Sequence, residues 1–403
     1  MSRRFIVQPQ FALLIMLFSL VPRVHGADVP PMVPRIDTAL TNAAKFLLAQ
    51  QSPDGAWRSH RYGLLKDGPS LTPHVALGVH ILSAYEPLAA AAVKDAKAYL
   101  DGLLDADDHL KRDVDLIYPV YTAAEACRLA ELFEDHHAAA VWLALLRRQQ
   151  LTEALEWRSS DLEYGGWSYA LTPPHRPAAG RQRGAWDWSN LSATVDALET
   201  LQALHVPADD PAFAAALLFI RRCQNLADDG SVADVKFDDG GFCFSPAEAL
   251  RNKAGEAGVD ARGHTRFRSY GSATVDGVQA LQLCGVRDDD PRLLAGRRWL
   301  DEHFLADHNP GDFVAANEDI RDATYFYYCR GFSRLAMSPA QARGIAEALL
   351  RRQRDDGSWV NRFTDGREDD PLVATPPAVE ALLNCRRILQ STAPATSTSH
   401  RNP

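Results

Sequence analysis

The sequence lacks most of the features that settle a protein's chemistry early. It has no basic run, no zinc-finger spacing and no alternation of aromatic with basic side chains, so no nucleic-acid partner is expected. Its net charge of −9 points the same way. Cysteine is scarce, at six in 403 residues, with no CxxC and no Cys/His cluster at ligand spacing, so neither metal nor cofactor is expected. Long apolar runs are lacking too. The one candidate, residues 11–21, is too short to span a bilayer comfortably.

That run follows Arg3-Arg4 and precedes Val24-His25-Gly26-Ala27, an acceptable small-residue cleavage site. It reads as a signal peptide over residues 1–26, giving a chain that is exported, periplasmic or secreted, and soluble once the signal is removed. Residues 27–35 form a Pro-rich leader, and residues 391–403 a Ser/Thr/Pro-rich tail expected to be disordered. Cys127, Cys284, Cys329 and Cys385 fall in apolar helical stretches and read as buried thiols. Cys223 and Cys243 flank an inserted loop, and their pairing is left open.

What is present is repetition. Ser192-Ala193-Thr194-Val195-Asp196 returns as Ser272-Ala273-Thr274-Val275-Asp276, each followed by apolar residues at helical steps. Degraded copies open at Thr72, Thr122, Thr324 and Thr375, so the six threonines lie 50, 72, 80, 50 and 51 residues apart. The period is a unit of about 50 residues with loop insertions in the third and fourth copies. The Thr or Ser is expected to cap the helix it opens, with the Asp just inside favoured by the helix dipole.

A more charged helix precedes each of these, as with Arg147-Arg148, Arg221-Arg222 and Arg351-Arg352. Six hairpins of similar length can close into an all-α, single-domain (α/α)6 toroid over residues 36–390. The more apolar helices would form its inner ring. Their N-termini would meet at one mouth, overhung by both insertions, and a ligand site is expected there.

Leu47-x3-Gln51-x3-Gly55-x-Trp57 and Leu349-x3-Gln353-x3-Gly357-x-Trp359 resemble the QW repeats of squalene–hopene and oxidosqualene cyclases. Looser versions are Leu145-x3-Gln149…Gly165-x-Trp167 and Ile220-x3-Gln224…Gly240-x-Phe242. The resemblance implies the α/α toroid shared by terpene cyclases and protein prenyltransferase β subunits. It does not bring their chemistry. The cyclase D-x-D-D-T-A motif aligns with Asp187-Trp188-Ser189-Asn190-Leu191-Ser192, which puts Ser189 at the proton-donor position. Where the prenyltransferase pattern has its zinc Cys this chain has Val278, and its His motif meets Thr324-Tyr325. The diphosphate-binding Lys position is Ala273.

Candidate site residues follow from the expected mouth. Asp187, Asp196 and Asp276 are the candidate catalytic carboxyls. His74, Tyr118, Tyr121, Trp186, Trp188, Tyr325, Tyr327 and Tyr328 are candidates to line the cavity. Arg266 and Arg268 are candidates to hold an anion. The leading reading is an exported, cyclase-like repeat protein that binds an apolar small molecule, lipid or glycan in its cavity, with a protein partner left open. Two enzymatic alternatives stand beside it: a terpene cyclase or isomerase with a non-standard acid, and a polysaccharide-active hydrolase or lyase.

Overall fold

The computed structural model describes residues 31–391, apart from 108, 179, 180, 182, 185, 228–233 and 235. The proposed signal peptide and the tail after Ser391 lie outside the described residues. Outer helices are α1 (Met32–Ala49), α3 (Ala89–Asp101), α5 (His136–Arg147), α7 (Pro211–Cys223), α9 (Pro291–His303) and α11 (Pro339–Arg352). Inner helices are α2 (Thr72–His80), α4 (Pro119–Leu132), α6 (Leu191–Ala203), α8 (Gly271–Leu283), α10 (Tyr325–Arg334) and α12 (Pro371–Ser391). Each inner helix packs on the next, and α12 packs back on α2, so the inner ring closes. The first helix starts at Met32, inside the stretch read as leader.

The QW-like residues explain why the hairpins repeat. The Trp57 indole donates to the Leu47 carbonyl at 2.7 Å, Trp167 to Leu146 at 2.9 Å and Trp359 to Leu349 at 2.8 Å. All three indoles are fully buried, so each outer helix ends with its turn folded under a ring. The Gln amide reaches in two directions. Gln51 donates to the Gly55 carbonyl in its own turn and to Ala92 in the next outer helix. Gln224 does the same with Gly240 and Arg292, and Gln353 with Gly357 and Ala39. The last of these joins α11 to α1 and fastens the ring where the chain begins and ends. In the third repeat the residue is Gln150, which binds Gly165 and Ala212, and not Gln149. Counting from Leu146, whose carbonyl receives the indole, restores the register. The glycine is obligatory: at Gly165, with φ +90°, a Cβ would lie 1.8 Å from the Ala215 carbonyl oxygen.

The repeated threonine has a different task from the one expected. Thr72, Thr194, Thr274 and Thr375 accept the backbone N–H of Trp57, Trp167, Phe242 and Trp359 at 3.0 to 3.1 Å. They pin the outer-helix turn to the inner helix. Capping falls to neighbours: Asn190 accepts from the Ala193 N–H at the start of α6, and Asn309 from the Ser272 N–H in α8.

Both insertions precede inner helices. The second contains a hairpin, β1 (Glu256–Val259) with β2 (Thr265–Phe267), paired antiparallel. No helix among the described residues is long and apolar enough to cross a membrane. Cys127, Cys223, Cys329 and Cys385 are buried thiols, and Cys284 is half-buried.

Candidate functional site

Positions three or four apart on a helix share a face. The axis-facing stripe is Tyr121, Glu125 and Arg128 on α4. On α6 it is Ser192, Asp196 and Glu199, and on α10 Tyr327, Arg330 and Arg334. These stripes divide the lumen into two levels.

The lower level is filled with ion pairs. Arg128 donates to Asp196 at 2.6 Å and to Glu199 at 2.8 Å. Arg330 bonds Glu380 at 3.0 Å and reaches Glu199 at 3.5 Å. Arg334 binds both of those carboxylates. His74 meets the Glu125 carboxylate through Nδ1 at 2.9 Å and the Val373 carbonyl through Nε2 at 3.2 Å. Two acceptors require two N–H groups, so this histidine is an imidazolium. Burial opposes its charge, but Glu125 outweighs burial and raises its pKa. The partner carboxyl is lowered, since His74 and the nearby arginines outweigh its own burial.

The upper level is an open chamber of about 260 Å³. Tyr118, Tyr121, Tyr169, Phe244, Tyr270 and Tyr327 supply aromatic wall. The Ser192 hydroxyl sits between the phenols of Tyr121, at 2.5 Å, and Tyr169, at 2.9 Å. Tyr118 stands edge-on to Tyr169 with ring centres 5.4 Å apart.

Asp196 and Asp276 line the floor of this chamber, from equivalent positions in two repeats. Their surroundings differ. Asp196 is 4% exposed and held by Arg128, yet its second oxygen is buried with no partner. Burial pushes its carboxyl up to about 6 against the pull of Arg128. Asp276 is 2% exposed and accepts a hydrogen bond only from the Tyr327 hydroxyl, at 2.9 Å. Charge balance sharpens the contrast. Arg128, Arg330, Arg334 and His74 are paired with Glu125, Asp196, Glu199 and Glu380, four cations against four carboxylates. Asp276 is a fifth carboxyl, with no paired cation among the described residues. Burial pushes it well above the ordinary carboxylate range, with only partial relief from Tyr327 and Arg330. Its acid form is thereby favoured over the carboxylate.

The mouth is basic. Arg251, Lys253 and Arg367 line it, beside Asp365 and Glu368. Arg367 lies over the rings of Tyr62 and Tyr118, 5.0 and 4.9 Å from their centres, and has one buried nitrogen without a partner. Burial lowers the Lys253 ammonium, whose contact with the Phe244 ring is at 5.8 Å. Tyr118 and Arg367 both have φ near +58°, a conformation costing a non-glycine residue about 1 kcal/mol. Two such residues in contact at a cavity mouth mark a constrained site. Glu368 crowns α10 by accepting from the Phe326 and Tyr327 N–H groups at 3.0 and 2.8 Å. Burial nonetheless raises it to about 8.

Of the residues chosen from the sequence, Asp196, Asp276, His74, Tyr118, Tyr121 and Tyr327 line the chamber. The others do not. Asp187 accepts from the Gly184 N–H and orders its own loop. Trp186 backs Tyr118 at 5.4 Å, while Trp188 faces a second groove under Arg183. Tyr325 and Tyr328 turn outward, their hydroxyls on the Ala306 and Leu305 carbonyls. At 100° per residue, consecutive tyrosines cannot all face one lumen, and Tyr327 alone shares the stripe of Arg330 and Arg334. Arg266 and Arg268 pair with Asp238 and Asp312 away from the chamber. The mouth cations come instead from Arg251, Lys253 and Arg367, which sequence reasoning missed. Tyr169, Phe244 and Glu125 were missed as well. Only Glu125 carries a signal, four residues after Tyr121 and three before Arg128.

No family model matches the chain, and no curated protein matches it. Solved structures do. A type II terpene cyclase, MstE from Scytonema, bound to geranylgeranyl dihydroxybenzoate, has TM-score 0.57 at 13% identity. The match covers 89% of this chain and 99% of that one. The cellobiose 2-epimerase of Spirochaeta thermophila has TM-score 0.51 at 15% identity, covering 91% and 99%. An α-1,6-mannanase of Salegentibacter bound to α-1,6-mannotriose has TM-score 0.52 at 9% identity, covering 88% and 99%. The likeness shows the fold: an all-α, terpenoid cyclase-like α/α toroid.

Proposed function

We propose that this protein is an exported toroid that binds a short unsaturated apolar chain with an anionic end, and isomerises or cyclises it by proton donation from Asp276. The observation that carries this reading is the surplus carboxyl: buried, without a paired cation among the described residues, hydrogen-bonded by Tyr327 and facing an aromatic chamber. Held toward its acid form by burial, Asp276 is the proton donor. Once the proton is given, the Tyr327 hydroxyl and the nearby Arg330 stabilise the carboxylate left behind. The faces of Tyr121, Tyr169 and Phe244 stabilise the cation formed on the ligand, which then loses a proton to water, so that the product keeps the substrate's mass and Asp276 is reprotonated from solvent. The anionic end lies at Arg251, Lys253 and Arg367. The volume of about 260 Å³ falls just below the ~300–1,000 Å³ usual for small-molecule sites, which favours a short prenyl chain. The MstE ligand, a prenyl chain on a benzoate, has both parts.

The test uses geranyl-, farnesyl- and geranylgeranyl-substituted dihydroxybenzoates with the purified chain, followed by mass spectrometry. The expected product has the substrate's mass and a different retention time, and is lost in Asp276→Asn although the probe still binds. Binding without turnover in the native chain would reduce the protein to a ligand carrier.

A second reading has one observation in its favour. Asp196, with one unpartnered oxygen, and Asp276, held toward its acid form, line one chamber and would serve as base and acid toward a sugar. Turnover of cellobiose or α-1,6-mannotriose, with no effect on the prenyl probes, would establish it instead.

A further inference from the structure

Cys223 closes α7, and Cys243 returns beside it after the start of the second insertion. Gln224 and Phe242 form an isolated antiparallel bridge between these segments. The amides on either side complete it. Cys243 N–H donates to the Cys223 carbonyl at 2.9 Å, and Asn225 N–H to the Gly241 carbonyl at 2.8 Å. That pattern makes Gln224 and Phe242 the non-hydrogen-bonded pair and sets Cys223, the last residue of α7, opposite Cys243, joined by one of the two bonds that a full hydrogen-bonded pair exchanges. Residues so placed have Cα atoms ~5.5 Å apart, within the ~4.4–6.8 Å that a disulfide spans. Opposite residues project to the same side, and after burial the neighbouring Cys243 thiol is the next cause that pushes the Cys223 thiol up. The Cys243 thiol reaches the Ser245 carbonyl at 3.6 Å, a contact the bridge would replace, and the Cys127 thiol reaches the Ala139 carbonyl. Cys284 is engaged likewise by Phe213.

Both thiols are buried, Cys243 at 4% exposure, so oxidation needs a local opening or precedes folding. Cys243 contributes to the wall of a groove of about 880 Å³ between the two insertions, with Trp188, Arg222 and Phe267. Cys223 lies behind it.

We propose that Cys223 and Cys243 form a disulfide, made by exchange with a disulfide oxidant such as oxidised glutathione. The Cys243 thiolate attacks one glutathione sulfur and expels a glutathione thiolate, leaving a mixed disulfide. The Cys223 thiolate then attacks the Cys243 sulfur and expels the second. Two protein thiols are oxidised, one glutathione disulfide is reduced to two thiols, and the two protein protons pass to the thiolates released. The bond closes a loop of about 20 residues, which restricts the unfolded chain. It also ties down a chamber wall. Phe244 follows Cys243 directly, lines the chamber, and accepts the Leu191 N–H at the start of α6 through its carbonyl at 2.9 Å.

The test is a thiol map of the full mature chain after incubation with oxidised glutathione. One sample is incubated folded, a second refolded from denaturant in the same buffer. The expected result is a non-reduced peptide joining Cys223 to Cys243, with the other four cysteines alkylated. Oxidation should raise Tm by about 5 °C, an effect absent in Cys243→Ser. A bridge that forms only on refolding supports the pair and places oxidation before burial of the thiols. Six alkylated cysteines in both samples, or a bridge between other cysteines, would overturn the proposal.

Discussion

Asp196 and Asp276 occupy the same place in two copies of one repeat, each four residues after a serine and two after a threonine. On sequence they are interchangeable. In the ring they are opposites: α4 brings Arg128 to Asp196, whereas α10 brings Tyr327 to Asp276. One carboxyl joins an ion network, and the other is pushed by burial toward its acid form. Repetition builds the scaffold, but the role of a repeated residue is set by the neighbouring helix, where the copies have diverged.

The comparison breaks most visibly at Asp276. Asp276→Asn should reduce turnover by about 10²–10⁴-fold, the usual contribution of a general acid. The same change should stabilise the fold by about 1 kcal/mol at neutral pH, because a buried ionisable group is replaced by a neutral one. A variant that loses both activity and stability would make Asp276 a structural residue. At Asp196 the expected order is reversed. Arg128→Met leaves the buried Asp196 without a cation, while Glu199 keeps Arg330 and Arg334, and should cost about 3–5 kcal/mol in urea unfolding. If Arg128 is what separates the aspartates, Asp196 should then resist ionisation as Asp276 does, measured by the ¹³C shift of its carboxyl against pH.

Stability against pH sharpens the contrast further. Raised above 6.5, the His74 contribution is whole below that value and is lost as pH climbs through the raised pKa. Lowered below 4.5, that of Glu125 is whole above 4.5 and is lost as pH falls through the lowered pKa. The pair therefore contributes fully between pH 4.5 and 6.5. Asp276 adds a trend of one sign. Its raised pKa makes folding less favourable as pH rises from 3.8 towards the folded value. Melting temperature should peak in mild acid and decline toward alkali. Asp276→Asn should flatten that decline, while His74→Gln should remove about 2 kcal/mol near pH 6 and less at pH 9.

How much of this was legible in the sequence follows from which contacts are local. The toroid was legible because Gln, Gly and Trp act within one turn, so their spacing survives as a pattern. The register error at Gln149 arose because Gln150 lies beside it and the inserted loop stretches the motif. The site was only partly legible. Asp196, Asp276, Tyr121 and Tyr327 stand in inner-helix first turns that the repeat places. Arg251, Lys253 and Arg367 come from loops between repeats, where no period constrains position. Arg266 and Arg268 looked equally suitable by sequence, but the β1–β2 hairpin turns them toward Asp238 and Asp312.

The smallest expected effect tests the other half of the comparison, that the scaffold treats both copies alike. Thr194 and Thr274 each accept one buried N–H, from Trp167 and Phe242, both at 3.1 Å. Valine keeps the shape and removes the acceptor. Thr194→Val and Thr274→Val should each cost about 1–2 kcal/mol, the penalty for a buried N–H left without a partner. Because each bond lies on the outer side of its inner helix, turnover should change little in either. Equal losses measured by urea unfolding would place the divergence of the two repeats in the lumen alone. A markedly larger loss for Thr274→Val, with turnover falling alongside, would mean that α8 is held less firmly than α6. The distinct environment of Asp276 would then belong to the backbone of its repeat as much as to its neighbours on α10.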